Sequence, residues 1–156
     1  MPPTRRDWLR AQGYEQIGVT GLSLGGALTM LLACLEPLPD YIVPIIAHLE
    51  LEHVVETAPI MWRMKNDLES FGVDAGKRHE IFRRIGLSRY QPLLPARRQL
   101  WIEAREDAYI DAGLVEKQWR TWGKPAIHWL PGGHMTILMH VGTLSERMAR
   151  FMEDLR

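Results

Sequence analysis

The stretch Gly21-Leu22-Ser23-Leu24-Gly25-Gly26 constrains the fold of this chain more than any other. Before it, Gln16-Ile17-Gly18-Val19-Thr20 is short, apolar and partly β-branched, which reads as a strand. After it, residues 25–35 carry Ala, Leu, Met and Cys on every side and read as a helix. A strand that feeds a helix through so few residues must turn sharply. Glycines at 21 and 25 omit Cβ atoms that would collide there, and the residue between them is forced into a strained backbone conformation. The side chain of Ser23 then stands clear of the sheet, and the Leu24 amide, at a helix N-terminus, faces any oxyanion that forms. Two glycines around a serine also occur in plain turns. The flanking strand and helix are what distinguish a nucleophile elbow.

The rest of the chain repeats the alternation. Residues 4–11 read as a helix capped by Thr4 and ended by Gly13, and Glu36-Pro37-Leu38-Pro39-Asp40 stops the helix after the elbow. Residues 41–49 form a nearly continuous apolar run, a strand buried on both faces, with Pro44 implying an irregularity. Over residues 50–95 the period becomes helical, with Leu51, Val55, Ala58 and Trp62 and then Ile81, Phe82 and Ile85, and this segment is expected to be a cap or lid-like insertion. Strands follow at 99–104 and 126–130, separated by a helix at 110–121. A final amphipathic helix is expected at 136–155, with Leu138, Val141, Leu144, Met148 and Met152 on its buried side. The pattern predicts one α/β domain over 1–156: a three-layer α/β/α body with about four parallel strands and right-handed crossovers.

Nineteen basic residues balance nineteen acidic ones, so charge gives no case for nucleic acid as a partner. The basic pairs, Lys77-Arg78 and Arg83-Arg84 among them, are expected on solvated faces. The single cysteine, Cys34, excludes an intrachain disulfide and reads as a small core hydrophobe. No run approaches the ~20 apolar residues of a transmembrane helix. The N-terminus has Pro2, Pro3, Arg5, Arg6 and Asp7 where a signal peptide needs an apolar run. The expected protein is cytoplasmic, or the soluble piece of something larger.

A serine hydroxyl needs a base to take its proton, and the base needs a carboxylate to fix its tautomer. In parallel sheets such groups stand on loops at the carboxyl ends of strands. Asp107 follows the third strand and His134 the fourth, through Pro131-Gly132-Gly133. The chain order is therefore Ser23, Asp107, His134. His48 and His53 compete for the base and Glu106 and Asp111 for the acid, while His128 reads as a core residue within its strand and His79 and His140 fall in helical stretches. Met61 and Trp62 in the insertion, with Leu22 and Met135 beside the serine and histidine, are candidate substrate contacts, although Met and Trp at helical spacing also suit a core.

Three strings carry a resemblance: Gly21-Leu22-Ser23-Leu24-Gly25-Gly26, Glu103-Ala104-Arg105-Glu106-Asp107-Ala108-Tyr109-Ile110 and Leu130-Pro131-Gly132-Gly133-His134. They resemble the nucleophile, acid and histidine motifs of the α/β-hydrolase superfamily, and the second resembles the branch described as α/β-hydrolase-domain-containing protein 18. The resemblance implies serine hydrolase chemistry on a small-molecule or lipid carboxylic ester, with no metal or organic cofactor. In that superfamily further strands precede the elbow, and a loop among them gives a second oxyanion-hole amide. Here Leu24 is the one donor that can be placed, and the elbow strand becomes an apolar edge. That edge is expected to be covered by a second copy, a swapped element or a rearranged helix, making a homodimer or higher oligomer. The alternatives are a truncated, non-catalytic fragment or interaction module, and the same triad acting on a thioester, lactone or polyester.

Overall fold

The computed structural model describes residues 4–37, 39–47 and 49–156. Pro2, Pro3, Leu38 and His48, on which parts of the sequence analysis rest, lie outside the described residues. Four apolar runs pair as one parallel sheet in the order β1-β2-β3-β4. The strands are β1 (Gly18–Leu22), β2 (Tyr41–Ile45), β3 (Leu100–Ala104) and β4 (Ala126–Leu130). Helices α1 (Arg5–Ala11) and α2 (Leu24–Leu35) flank β1, while α3 (Leu51–Thr57), α4 (Trp62–Ser70) and α5 (Ala75–Phe82) fill the insertion after β2. Helix α6 (Ala112–Thr121) links β3 to β4, and α7 (Val141–Asp154) closes the chain.

The pleat sorts side chains into two faces. Parallel register places Gly21 opposite Pro44, Ile45 opposite Ile102 and Glu103 opposite Trp129. Gly21 and Trp101 face α2 and α6: a Cβ on Gly21 would meet the Gly25 carbonyl oxygen at 2.2 Å, and the Trp101 ring meets Trp122 edge-on at 5.5 Å. Tyr41 faces the other way and packs its ring against Phe151 of α7 at 6.0 Å. Three layers result, with Met30, Val43, Trp101, Ile102 and Val115 in a core that water does not reach.

Where the strands differ from expectation, a side chain or a backbone angle explains it. β1 begins at Gly18 rather than at 16, because the Asp40 carboxylate takes the Ile17 N–H at 2.7 Å. β2 ends at Ile45 rather than at 49, because Ile46 turns to φ 41° while its N–H goes to the Ile102 carbonyl at 2.7 Å. Pro44 lies inside β2 and has no N–H to give, the irregularity its ring implied. The last helix is two pieces, a 3₁₀ turn at Thr136–His140 and then α7. Ile137 and Leu144 are buried there, whereas Leu138 and Val141, expected on the buried side, are exposed.

One basic residue departs from the expected solvated face. Arg78 does not lie on a solvated face: it is buried, and it bonds Glu56 at 2.7 Å, Glu69 at 3.2 Å and the Val73 carbonyl at 3.0 Å. The guanidinium therefore fastens α3, α4 and α5 together. Cys34 is half-buried, and burial pushes its thiol up to about 11. No helix among the described residues is long and apolar enough to cross a membrane. β1 is an edge strand, and among the described residues no strand pairs with its outer side.

Candidate active site

The corner after β1 is as tight as its glycines demand. Ser23 has φ 58° and ψ −116°, a conformation that is costly for a residue with a Cβ and that persists only where the surroundings enforce it. Its N–H is held by the Ile45 carbonyl at 2.9 Å, and its own carbonyl accepts the Ala27 N–H at 3.0 Å, so the strained residue is pinned between β2 and the first turn of α2. The glycines that permit this are Gly21 and Gly26. A Cβ on Gly26 would come within 2.9 Å of the Ile45 carbonyl oxygen, whereas one on Gly25 would meet nothing within 4 Å. The pairing of 21 with 25 is corrected accordingly. Leu24 opens α2, and its N–H is among the helix-terminal donors that have no intrahelical acceptor.

The structure brings the three predicted residues together. Ser23 Oγ lies 2.8 Å from His134 Nε2, and His134 Nδ1 lies 2.8 Å from Asp107 Oδ2. The other oxygen of Asp107 accepts the N–H groups of Tyr109 at 2.8 Å and Ile110 at 3.1 Å, which fixes the carboxylate plane. The Asp107 side chain is 2% exposed and that of His134 12%. The Tyr109 ring stands edge-on to the imidazole at 4.9 Å and closes one side.

The competing groups have other tasks. Glu106 accepts the Gly132 N–H and ties the histidine loop to the end of β3, and Asp111 caps α6 through the Leu114 N–H at 2.9 Å. Thr136 exchanges bonds with Gly133 and folds the turn that carries His134. Gly133 passes so close to Glu106 that a Cβ would lie 2.8 Å from its carbonyl oxygen. His79 is exposed beside Glu52, and His128, half-buried in β4, has its imidazole lowered by burial and by Arg147. His53 lies on α3 and His140 ends the 3₁₀ turn.

Of the expected substrate contacts, Leu22 ends β1 and Met135 follows His134, both exposed at the site. Met61 and Trp62 sit in the insertion, at the junction of a short 3₁₀ turn with α4. Sequence reasoning passed over Glu103, a fully buried carboxyl in β3 on the face toward α2. Burial pushes it well above its ordinary value of 4.5, opposed by the Ala47 N–H and assisted by the charge of Asp107. A lone acid inside the apolar string Leu-Trp-Ile-Glu-Ala was the available signal. Among the described residues no three His, Cys, Asp or Glu stand together as a metal-binding set.

Comparison with known proteins bears on the fold that carries this geometry. Residues 6–57 match the family described as Alpha/beta hydrolase domain containing 18. An acetyl xylan esterase from Paenibacillus sp. R4 superposes with a TM-score of 0.70 at 19% identity, over 96% of this chain and 49% of that one. The chain has the α/β-hydrolase fold, and over residues 6–57 it is similar to the domain-containing-18 family. The acylaminoacyl peptidase of Pyrococcus horikoshii in its orthorhombic form agrees with this hydrolase fold at a TM-score of 0.64 and 18% identity, over 94% of this chain and 24% of that one. An uncharacterized protein of Mycobacterium tuberculosis is 31% identical over 139 residues, 81% of this chain and 30% of its own length. The present α/β-hydrolase chain thus spans about a third of the curated relatives it matches.

Proposed function

We propose that this chain is a serine hydrolase that cleaves carboxylic esters through an acyl-enzyme. The reading rests on one observation, the unbroken relay from hydroxyl to imidazole to carboxylate at 2.8 Å per step. Ser23 Oγ attacks the ester carbonyl as His134 Nε2 takes its proton, and Asp107 holds the Nδ1–H and stabilises the imidazolium. The Leu24 N–H donates to the oxyanion. His134 returns the proton to the departing alcohol, then deprotonates the water that releases the acid and frees Ser23. The same relay would serve a thioester, lactone or polyester.

Leu24 is the one oxyanion donor assigned here, and a site short of one such donor turns over about 10² to 10³ more slowly. Together with the open outer side of β1, the lone donor also favours a second reading, in which the chain acts as a non-catalytic interaction module. The proposal assigns the open edge to a second copy of the chain, residues 50–95 to a lid over the site, and the protein to the cytoplasm, where its lone cysteine stays reduced.

Release of nitrophenol from short-chain nitrophenyl esters tests the chemistry. Ser23→Ala is expected to lower kcat/KM by at least 10³, and equal rates for the two proteins would remove the triad. A fluorophosphonate probe separates the two readings, because it labels an activated serine and spares an inert one.

A further inference from the structure

The His134 imidazole is held by hydrogen bonds at both of its nitrogens, and such bonds lie in the plane of the ring. Nε2 meets Ser23 Oγ and Nδ1 meets Asp107 Oδ2, each at 2.8 Å. Two anchoring points define a line, and resistance to tilt about that line falls to whatever packs on the ring. Tyr109 packs there: its ring centroid lies 4.9 Å from that of His134, and its plane stands at 85° to the imidazole. The same residue holds the acid. The Tyr109 N–H donates to Asp107 Oδ1 at 2.8 Å, on the oxygen that faces away from the imidazole. One residue therefore touches the base through its side chain and the acid through its backbone. Tyr109 is itself hard to move. Asp107 ties the segment at one end, and at the other Asp111 caps α6 through the Leu114 N–H at 2.9 Å. The Tyr109 side chain packs against the buried core, and with Leu49, Val54 and Leu114 the residue walls a cavity of about 10 Å³, barely the space of one water.

We propose that Tyr109 is a positioning residue of the triad, whose ring keeps the imidazole plane in line with both Ser23 and Asp107 through the reaction. The inference rests on the serine hydrolase reading for the reaction it serves, and on the ring geometry for itself. Proton transfer between Oγ and Nε2 depends on alignment, and misplacing a reacting group by about 1 Å costs about 10² in rate. Binding of the intact ester does not draw on the orientation of the imidazole, so the loss of the ring falls on kcat and spares KM. The flat ring makes the contact, and the phenol hydroxyl takes no part in it.

Steady-state hydrolysis of a nitrophenyl ester and nitrogen-edited proton NMR of His134 test this on the full chain. Tyr109→Leu keeps the backbone N–H on Asp107 and removes the ring. It is expected to lower kcat about 10- to 100-fold with KM changed less than about twofold. Exchange of the His134 Nδ1 proton with water is expected to quicken by about tenfold, because the imidazole then rocks out of line with its acceptor. Tyr109→Phe, which returns the ring without the hydroxyl, is expected to restore both. Tyr109→Met repeats the removal with a side chain that adapts to irregular gaps, and circular dichroism checks each fold. A folded Leu or Met variant with the parent's kcat, or a Phe variant as slow as the Leu one, overturns the proposal while leaving the hydrolase reading intact. The NMR arm needs no turnover. If Ser23 proves inert in the parent, only the hydrolase reading fails: faster Nδ1 exchange in the Leu variant still supports the role of the ring, and equal exchange in parent and variant overturns it.

Discussion

Glu103 shows how much a single side chain can contribute without touching the reacting atoms. Its carboxyl accepts the Ala47 N–H, and Ala47 is the residue against which Gly26 packs at the elbow. The intervening Ile46, buried and β-branched, is held at φ 41°, where such residues are outliers. The acid therefore braces a strained turn alongside the strained serine. Among the described residues one oxygen, Oε1, has no hydrogen-bond partner, consistent with a carboxyl kept neutral by burial. Because its folded-state value is raised, the folded protein holds this proton longer than the unfolded chain does. Its contribution is complete below about pH 4.5 and declines as pH rises toward the folded value. Glu103→Gln keeps the acceptor oxygen and has no charge to bury. It is expected to flatten that decline and to melt no lower than the parent at pH 7, whereas Glu103→Leu, which leaves the Ala47 N–H unpaired, should lose about 1–3 kcal/mol. Thermal melts from pH 4 to pH 8 decide, and a Gln variant with the parent's pH slope would refute the assignment. The sequence displayed Ser23, Asp107 and His134 because each stands at a strand end flagged by glycine or by a charge run. Glu103 carried no such flag, since what makes it unusual is the burial that only the assembled sheet imposes.

Among elements, the elbow is the one whose tolerance is sharply divided between neighbouring glycines. At Gly21 a methyl would overlap the Gly25 carbonyl, and overpacking of backbone against backbone costs about 1–3 kcal/mol or more. At Gly25 the space is open and the residue is helical, so alanine there should gain up to about 1 kcal/mol through helix propensity. Chemical denaturation of Gly21→Ala and Gly25→Ala is expected to move the midpoint in opposite directions, and shifts of the same sign would contradict the packing described. Spacing alone announces the turn but not which Cα faces which carbonyl, so it does not separate Gly25 from Gly26. The strand ends were lost for a similar reason. The Asp40 carboxylate sets where β1 begins and the turn at Ile46 sets where β2 ends; Asp40 lies outside the run that signals β1, and the φ of Ile46 leaves no mark within an apolar run. β4 matches its expected bounds because Pro125 and Pro131 punctuate it from within the sequence.

For the molecule as a whole, the unresolved demand is the outer side of β1. Gly18, Thr20 and Leu22 are exposed along it, and an edge of unpaired N–H and C=O groups is a template for another strand. Self-association through this edge is expected, so light scattering should return a mass at least twice the 18.0 kDa of one chain. Placing a lysine at Thr20 should shift the population toward monomer, and a monodisperse monomer with fast amide exchange in β1 would refute it. The parallel alternation and the insertion were legible from periodicity. The burial of Arg78 was not, because its partners come from two helices that sequence distance separates.

Ser23 follows the first strand and His134 the last, so their hydrogen bond spans three interstrand steps, about 14 Å of sheet width at ~4.8 Å each. The imidazole reaches the hydroxyl only because the loop after β4 arches back over the intervening strand ends. The two groups thus work as the jaws of a caliper whose frame is the sheet. Any change in the twist or spacing of β2 and β3 alters the gap between the jaws, and a small loss of fit in the middle would register as lost chemistry long before it registers as unfolding.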